Sequence, residues 1–143
     1  LVGGEQDLRP AYKGPLHYAR DIVGKDPMAT YLGIKVEEVR KEYARCSLVI
    51  KPQYLNALDR AHGISVYAVA DQAFAVACCS GGYKGIALSF TVNFTRGAAE
   101  GEKIFAEATP LFTGRKVSLW KIQVTGKGKK LIASCEGFAY HKD

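Results

Sequence analysis

Residues 61–83 read AHGISVYAVADQAFAVACCSGGY. Asp71 is the one formally charged side chain in this stretch, alanine dominates it, and Gly81-Gly82 supplies a stop signal. The length suits a helix of about four to five turns. A helix that is apolar all round is either buried or in a membrane. A central Asp costs roughly 2.5–3.5 kcal/mol on membrane-insertion scales. His62, Ser65 and Gln72 add polarity, so the segment reads as the buried central helix of a globular fold.

The flanking segments say what buries it. Residues 15–25 fit a short helix with Pro15 in its first turn. Residues 33–41 and 43–50 read as strands, the second with Ala44, Cys46, Leu48 and Ile50 on one side. Residues 51–60 read as a loop. After Gly85, segments 86–94, 103–112, 117–125 and 131–141 are rich in β-branched and aromatic residues and predict four more strands. The short Gly- and Lys-bearing links between them suggest hairpins or a meander. The economical architecture is α+β: one antiparallel sheet of about six strands wrapped around one long helix, a single domain over residues 1–143. The sheet covers one side of the helix, and a second subunit is the natural cover for the other.

Composition agrees. A chain of 143 residues with 48% apolar and 24% charged side chains is globular, which excludes disorder as a global description. The net charge of +6 favours anionic partners. The basic residues are spread out, and the densest group, Lys127, Lys129 and Lys130, reads first as a Lys/Gly hairpin turn. No aromatic-basic motif or recognition helix supports a nucleic-acid partner. The four cysteines show no CxxC spacing, and with three histidines a metal site is not expected. Cys78 and Cys79 look like small core residues. The first residues lack a charged head and an apolar stretch, so no leader is expected, and the reading is a reduced, cytoplasmic protein with no membrane partner.

Asp71 is the residue to explain. A carboxylate in the middle of an apolar helix is paired, protonated or functional, and no basic residue lies on the same helix to neutralise it. Asn56, His62 and Gly63 sit at or just before the helix start, where N–H groups without internal partners point toward the positive dipole end and can hold a developing oxyanion. His62-Gly63 taken alone reads first as a simple cap and turn. Gly63 and Asp71 are eight residues apart, about 12 Å along a helix, too far for one small carbonyl that must be approached to roughly 3–3.5 Å. If both act on one carbonyl, Asp71 comes from a second subunit. Two such helices packed antiparallel give a symmetric dimer with two composite sites.

The string Asn56-Ala-Leu-Asp-Arg-Ala-His62-Gly63, followed by Val69-Ala-Asp71-Gln-Ala-Phe-Ala75, resembles the hotdog-fold acyl-CoA thioesterases, and among them the phenylacetate-pathway (PaaI-like) branch. These show Asn, His-Gly six residues later and a catalytic Asp nine residues after the His; both spacings hold here. Related enzymes carry a Ser eighteen residues after the Asp, where this chain has Ser89. Val92-Asn-Phe-Thr-Arg96 is similar to the family strand that ends before a CoA-facing loop. Where many relatives have His-Gly-Gly, Ile64 replaces the second Gly, which bears on substrate class more than on activity.

The resemblance implies hydrolysis of an acyl-CoA thioester in a homodimer or homotetramer. Gly63 would polarise the carbonyl with its N–H, Asn56 would hold water or assist near the carbonyl, and His62 would orient the loop. Asp71 of the neighbouring subunit would be general base or nucleophile, and Ser89 would position the water. Arg96, Lys127, Lys129 and Lys130 would meet the phosphates of CoA. No metal or redox cofactor is implied; CoA enters as part of the substrate. Two rivals share the fold: a hydratase or dehydratase, which would use a His with an acidic partner, and a non-catalytic acyl-CoA-binding or regulatory module, which would not need Asp71. Aryl-acetyl, benzoyl-type and medium fatty acyl groups stay open, and Tyr67 and Phe74 are either acyl-pocket or core residues.

Overall fold

The structure, a computed structural model, describes residues 11–142; most of the polar stretch 1–13, which the sequence suggests is loosely held, lies outside them. Helix α1 (Pro15–His17) continues as a π-helical turn over Tyr18–Val23, and α2 spans Pro27–Leu32. Strands β1 (Lys35–Arg40) and β2 (Tyr43–Val49) follow, then the long helix α3 (Gly63–Ser80). Strands β3 (Lys84–Phe94), β4 (Lys103–Thr113), β5 (Val117–Thr125) and β6 (Leu131–Lys142) complete one six-stranded antiparallel sheet, in the order β1-β2-β4-β5-β6-β3.

The expected architecture is present: one sheet with one long helix on it. Two local expectations are corrected. The four strands after the helix are not a simple succession of hairpins. Strands β4, β5 and β6 form a meander, but β3 pairs with β6, and β4 pairs with β2. The link of residues 95–102 therefore crosses between sheet positions. It is fastened by Ala61 N to Ala98 O (2.8 Å) and Gly101 N to Ile50 O (2.7 Å). The second correction is α2, which periodicity did not reveal. Asp26 accepts from Ala29 N at 2.9 Å, Pro27 opens the first turn, and Gly33 closes the helix at φ 80°. The helix is local capping chemistry around six residues, too short to show a period.

Helix α3 lies on the inner face of the sheet. Val69, Ala70, Ala73, Val76 and Ala77 are fully buried, as are Trp120, Ile122, Ile104 and Leu48 from the strands. Cys78 and Cys79 are core residues as expected, and all four cysteines are free. Close approach of helix and sheet depends on two glycines. A Cβ on Gly85 would meet Cys78 Sγ, and a Cβ on Gly137 would lie 2.9 Å from the Phe74 ring. The residue at each point is glycine because the space of a side chain is already filled.

The far side of the helix, for which a second subunit was the natural cover, is partly covered by the chain itself. The chain's own N-terminal segment takes much of it: Tyr18 and Val23 pack on the core, and Gln72 Nε2 donates to Val23 O at 2.7 Å. What stays open is one stripe, Ile64, Tyr67, Ala68, Asp71 and Ala75, at the i, i+3, i+4, i+7 spacing of a single helix face. This helix is long and apolar enough to cross a membrane by length and composition, yet it sits inside the sheet. Replacing Gly137 by Val should force the buried Phe74 ring aside and cost about 1–3 kcal/mol. Thermal or denaturant unfolding checks this, with an unchanged midpoint as the contrary result.

Candidate active site at the start of the long helix

The loop that leads into α3 is built by Asn56. Its Oδ1 accepts from Leu58 N (2.9 Å) and Arg60 N (3.1 Å), and its own N–H donates to Arg60 O (2.7 Å). The carboxamide oxygen is thus committed to the turn, and the Nδ2 hydrogens are the donors left for other work. His62 then caps the helix. Its N–H donates to Tyr54 O (2.7 Å), and its Nδ1 accepts from Ile64 N (3.1 Å). An Nδ1 that accepts fixes the neutral tautomer with hydrogen on Nε2, a second donor at the rim.

The cap accounts for the first-turn donors one by one. Ile64 N–H goes to His62 Nδ1, while Ser65 N and Val66 N reach His62 O at 2.9 and 3.4 Å. Among the described residues, the first-turn N–H that these contacts leave over is that of Gly63. The position is crowded on its far side, since a Cβ on Gly63 would lie 3.1 Å from the Phe94 ring at the end of β3. Gly63 therefore offers an unspent donor at the positive end of an 18-residue helix dipole, beside an exposed aromatic ring.

Asp71 lies two turns along the exposed stripe, between Tyr67 and Ala75. No ion pair or hydrogen bond from the described residues reaches its carboxylate. Burial raises its proton affinity above the ordinary carboxylate range, and the negative charge of Asp26 raises it further. Tyr67 is affected in the same sense, first by burial and then by Asp71. Tyr67 is 40% exposed and packs edge-on against Phe90 of β3, with ring centroids 5.0 Å apart. Phe74, by contrast, is plain core.

Ser89 sits on β3 opposite Phe138, beside a bulge that breaks the register between Ala87 and Ser89. It is exposed, and no hydrogen bond joins it to Asp71 within the chain. Its neighbour Phe90 turns its ring to the helix. The structure thus brings Asn56, His62 and Gly63 together at one helix end, and sets Asp71 and Ser89 apart from them.

The basic residues divide. Arg96, Lys127 and Lys130 line one open cleft of about 450 Å³, together with Arg60, Gly97 and Glu102, whereas Lys129 stands outside it. Arg60 was not singled out by the sequence reading, although it lies inside the motif string. It closes the Asn56 turn, and Gly97 gives it room, since a Cβ there would lie 3.2 Å from its Nε. Glu102 fastens the walls, accepting from Ala99 N at 3.1 Å and Lys127 N at 3.0 Å. Burial pushes its carboxyl up, but those N–H groups and the Arg60 and Lys127 cations outweigh this and hold it below the ordinary range. The Gly126–Lys130 segment is the expected turn between β5 and β6, closed by Gly126 N to Lys130 O at 2.9 Å. Among the described residues, no group of three or more His, Cys, Asp or Glu side chains is placed to hold a metal ion.

Comparison with known proteins fits this geometry. A family model described as the thioesterase superfamily matches residues 51–133, which include the Asn56 loop, all of α3 and every residue that lines the basic cleft. The chain is 33% identical over 115 residues to a candidate esterase of Archaeoglobus fulgidus, covering 80% of this chain and 75% of that one. It is 29% identical over 119 residues to the acyl-coenzyme A thioesterase PaaI of Escherichia coli, covering 83% and 85%. The solved structure of the Escherichia coli PaaI protein of the phenylacetic acid degradation operon superposes with a TM-score of 0.84 at 25% identity, covering 91% of this chain and 97% of that one.

The unpaired state of Asp71 has a measurable thermodynamic sign. Its proton affinity is higher folded than unfolded, so the stability present at low pH is lost as pH rises through its raised folded value. Asp71→Asn removes that loss. The variant should melt above wild type near neutral pH, with the difference closing below the ordinary aspartate range. Thermal unfolding at several pH values checks this, and a lower melting point at neutral pH would contradict it.

Proposed function

The chain belongs to the thioesterase superfamily, and we propose from that premise that it hydrolyses an acyl-CoA thioester to the free acid and CoA. The observation that carries the mechanism is the separation of two complementary groups. Gly63 holds an unspent N–H donor, and Asp71 holds an unpaired carboxylate on the same open stripe, about 12 Å further along the helix. A second copy laid antiparallel on that stripe would set the Asp71 of each chain against the Gly63 of the other. Ile64 at 70% exposure and Phe94 at 56%, beside the unpaired edge of β3, supply apolar surface for such a contact.

In the composite site the thioester carbonyl oxygen accepts from Gly63 N–H. Water attacks the carbonyl carbon as Asp71 of the second copy takes its proton. The oxyanion forms on the Gly63 donor, where the helix dipole already favours negative charge. Collapse expels the CoA thiolate, which takes the proton held by Asp71 and restores the carboxylate. Asn56 Nδ2 and His62 Nε2–H are the further donors at this rim. In the alternative route Asp71 attacks directly and a mixed anhydride forms. Oxygen-isotope labelling in a single turnover identifies the second route when water opens the anhydride at the Asp71 carboxyl carbon, because that leaves solvent oxygen in Asp71 and a protein oxygen in the product acid. Ser89 is the proposed water-positioning residue, and its substitution by Ala should cost only a few-fold. The phosphates of CoA fit the cleft of Arg60, Arg96, Lys127 and Lys130, with Lys129 at its margin. The PaaI name of a relative supports an acyl-CoA substrate.

Free-thiol release from a panel of acyl-CoA esters tests the reading. Asp71→Ala and Asp71→Asn should each lower kcat about 10²–10⁴-fold with folding intact. Turnover indifferent to Asp71, or none on any ester, would shift the weight to a binding module. Gly63 can be tested at its N–H alone. His62 has φ −64° and ψ 140°, a conformation that accepts a following proline, and proline is tolerated at the first helical position. Gly63→Pro should cost about 10²–10³-fold, whereas Gly63→Ala, which adds a Cβ at the same place and keeps the donor, should cost far less.

The pH profile carries a third test. Asp71 must be ionised to accept a proton, and both burial and the Asp26 charge delay its ionisation. Asp26→Asn keeps an N-cap for α2 and removes that charge. The acidic limb of the kcat/KM profile should move to lower pH in this variant, and an unmoved limb would remove Asp26 from the account.

A further inference from the structure

An apolar cavity of about 250 Å³ opens directly beside the proposed oxyanion donor. It is lined by His62, Ile64 and Ser65, the residues that flank Gly63, and by Leu32, Leu48 and Leu55. Ala68, one turn further along α3, and Gln53 and Tyr54 complete the lining. Tyr54 Oη donates to Leu32 O at 2.6 Å and Ser65 Oγ donates to His62 O at 2.7 Å, which leaves His62 Nε2–H and the Gln53 amide as the wall's free polar groups. No cation lines the cavity, in contrast to the Arg60–Lys130 cleft.

We infer that this cavity receives the acyl part of the thioester and restricts it to compact, uncharged groups, with Ala68 setting its depth and Ile64 its mouth. The inference rests on the thioesterase reading above and goes beyond it to the substrate class. Position is the first argument. The acyl chain departs from the carbonyl carbon held at Gly63, and the cavity is the apolar space walled by the residues on either side of Gly63. Size is the second. A dry apolar cavity of about 150 Å³ is enough to hold a benzene molecule, so this one accepts a ring or a chain of a few methylenes, and a long straight chain would leave most of its length outside. Charge is the third. A terminal carboxylate would lose its hydration against leucine side chains with no cation to replace the water. Ile64, where many of the resembling enzymes have a second glycine, places a branched side chain at the mouth and narrows it.

Acyl-CoA esters of graded length and charge test this on the full-length protein. In wild type, kcat/KM for butanoyl-CoA should exceed that for succinyl-CoA by at least a hundredfold. Ala68→Leu fills the cavity and should lower the hexanoyl-to-acetyl ratio of kcat/KM at least tenfold. Ile64→Ala, with assembly checked by size because Ile64 also lies on the face proposed for the second copy, should raise the decanoyl-to-hexanoyl ratio several-fold. Turnover with ratios unmoved by Ile64→Ala, or succinyl-CoA cleaved as well as butanoyl-CoA, overturns the cavity assignment and leaves thioester hydrolysis standing. No turnover of any ester by wild type overturns both. If Ala68→Leu fails to fold, Ile64→Ala and the charge comparison in wild type still decide.

Discussion

An 18-residue apolar helix must be taken out of water on almost every side, and the rest of the molecule is arranged around that requirement. The inner face of the sheet covers most of it, and the segment Pro15–Val23 covers much of the remainder. The cover works at close range. Phe74 presses on Gly137 and Cys78 on Gly85, so helix and strands approach to distances that no larger residue at either strand position allows. Once these surfaces are in place, only the stripe from Ile64 to Ala75 remains open. The one charged residue of the helix stands on that stripe.

The same helix supplies both electrostatic poles of the proposed chemistry. At its start, His62 and the backbone satisfy the first-turn donors except that of Gly63. At Asp71 the opposite holds: a negative charge is half-buried with no cation paired to it among the described residues and a second carboxylate, Asp26, near enough to oppose its ionisation. Both features are local losses for folding. An unpaired donor and an unpaired carboxylate each stand in a place where a paired group would be more stable. Sites that violate the ordinary rules of satisfaction are where function concentrates, because the unmet interaction is kept for a ligand or a transition state.

The loop before the helix would join the two ends of the proposed substrate. Asn56 holds the turn through Leu58 and Arg60, and that turn sets Arg60 into the basic cleft at one end and His62 onto the helix at the other. Glu102 fixes the opposite wall through Ala99 and Lys127. In the proposed reaction, phosphate recognition and carbonyl activation are thus carried on one short, hydrogen-bonded piece of backbone. Asn56 reads naturally as a residue that acts through this loop as well as through its free amide hydrogens.

The sequence by itself determined the central helix, all six strands to within two residues at most ends, and the spacing of Asn56, His62, Gly63 and Asp71. These follow from short-range causes: apolar run length, alternation, glycine stops and turn chemistry. Helix α2 escaped because six residues show no period and only their caps, Asp26 and Gly33, mark them. The pairing of β3 with β6 and of β4 with β2 was decided by the tertiary structure, since the hydrogen bonds that choose a strand's neighbour join residues far apart in the chain. The same is true of the cover that Pro15–Val23 places on the helix, of Phe94 against Gly63, of Arg60 in the basic cleft and of the apolar cavity beside His62. Each is a contact between segments whose local sequences carry no record of one another, and only the closed sheet brings them within reach.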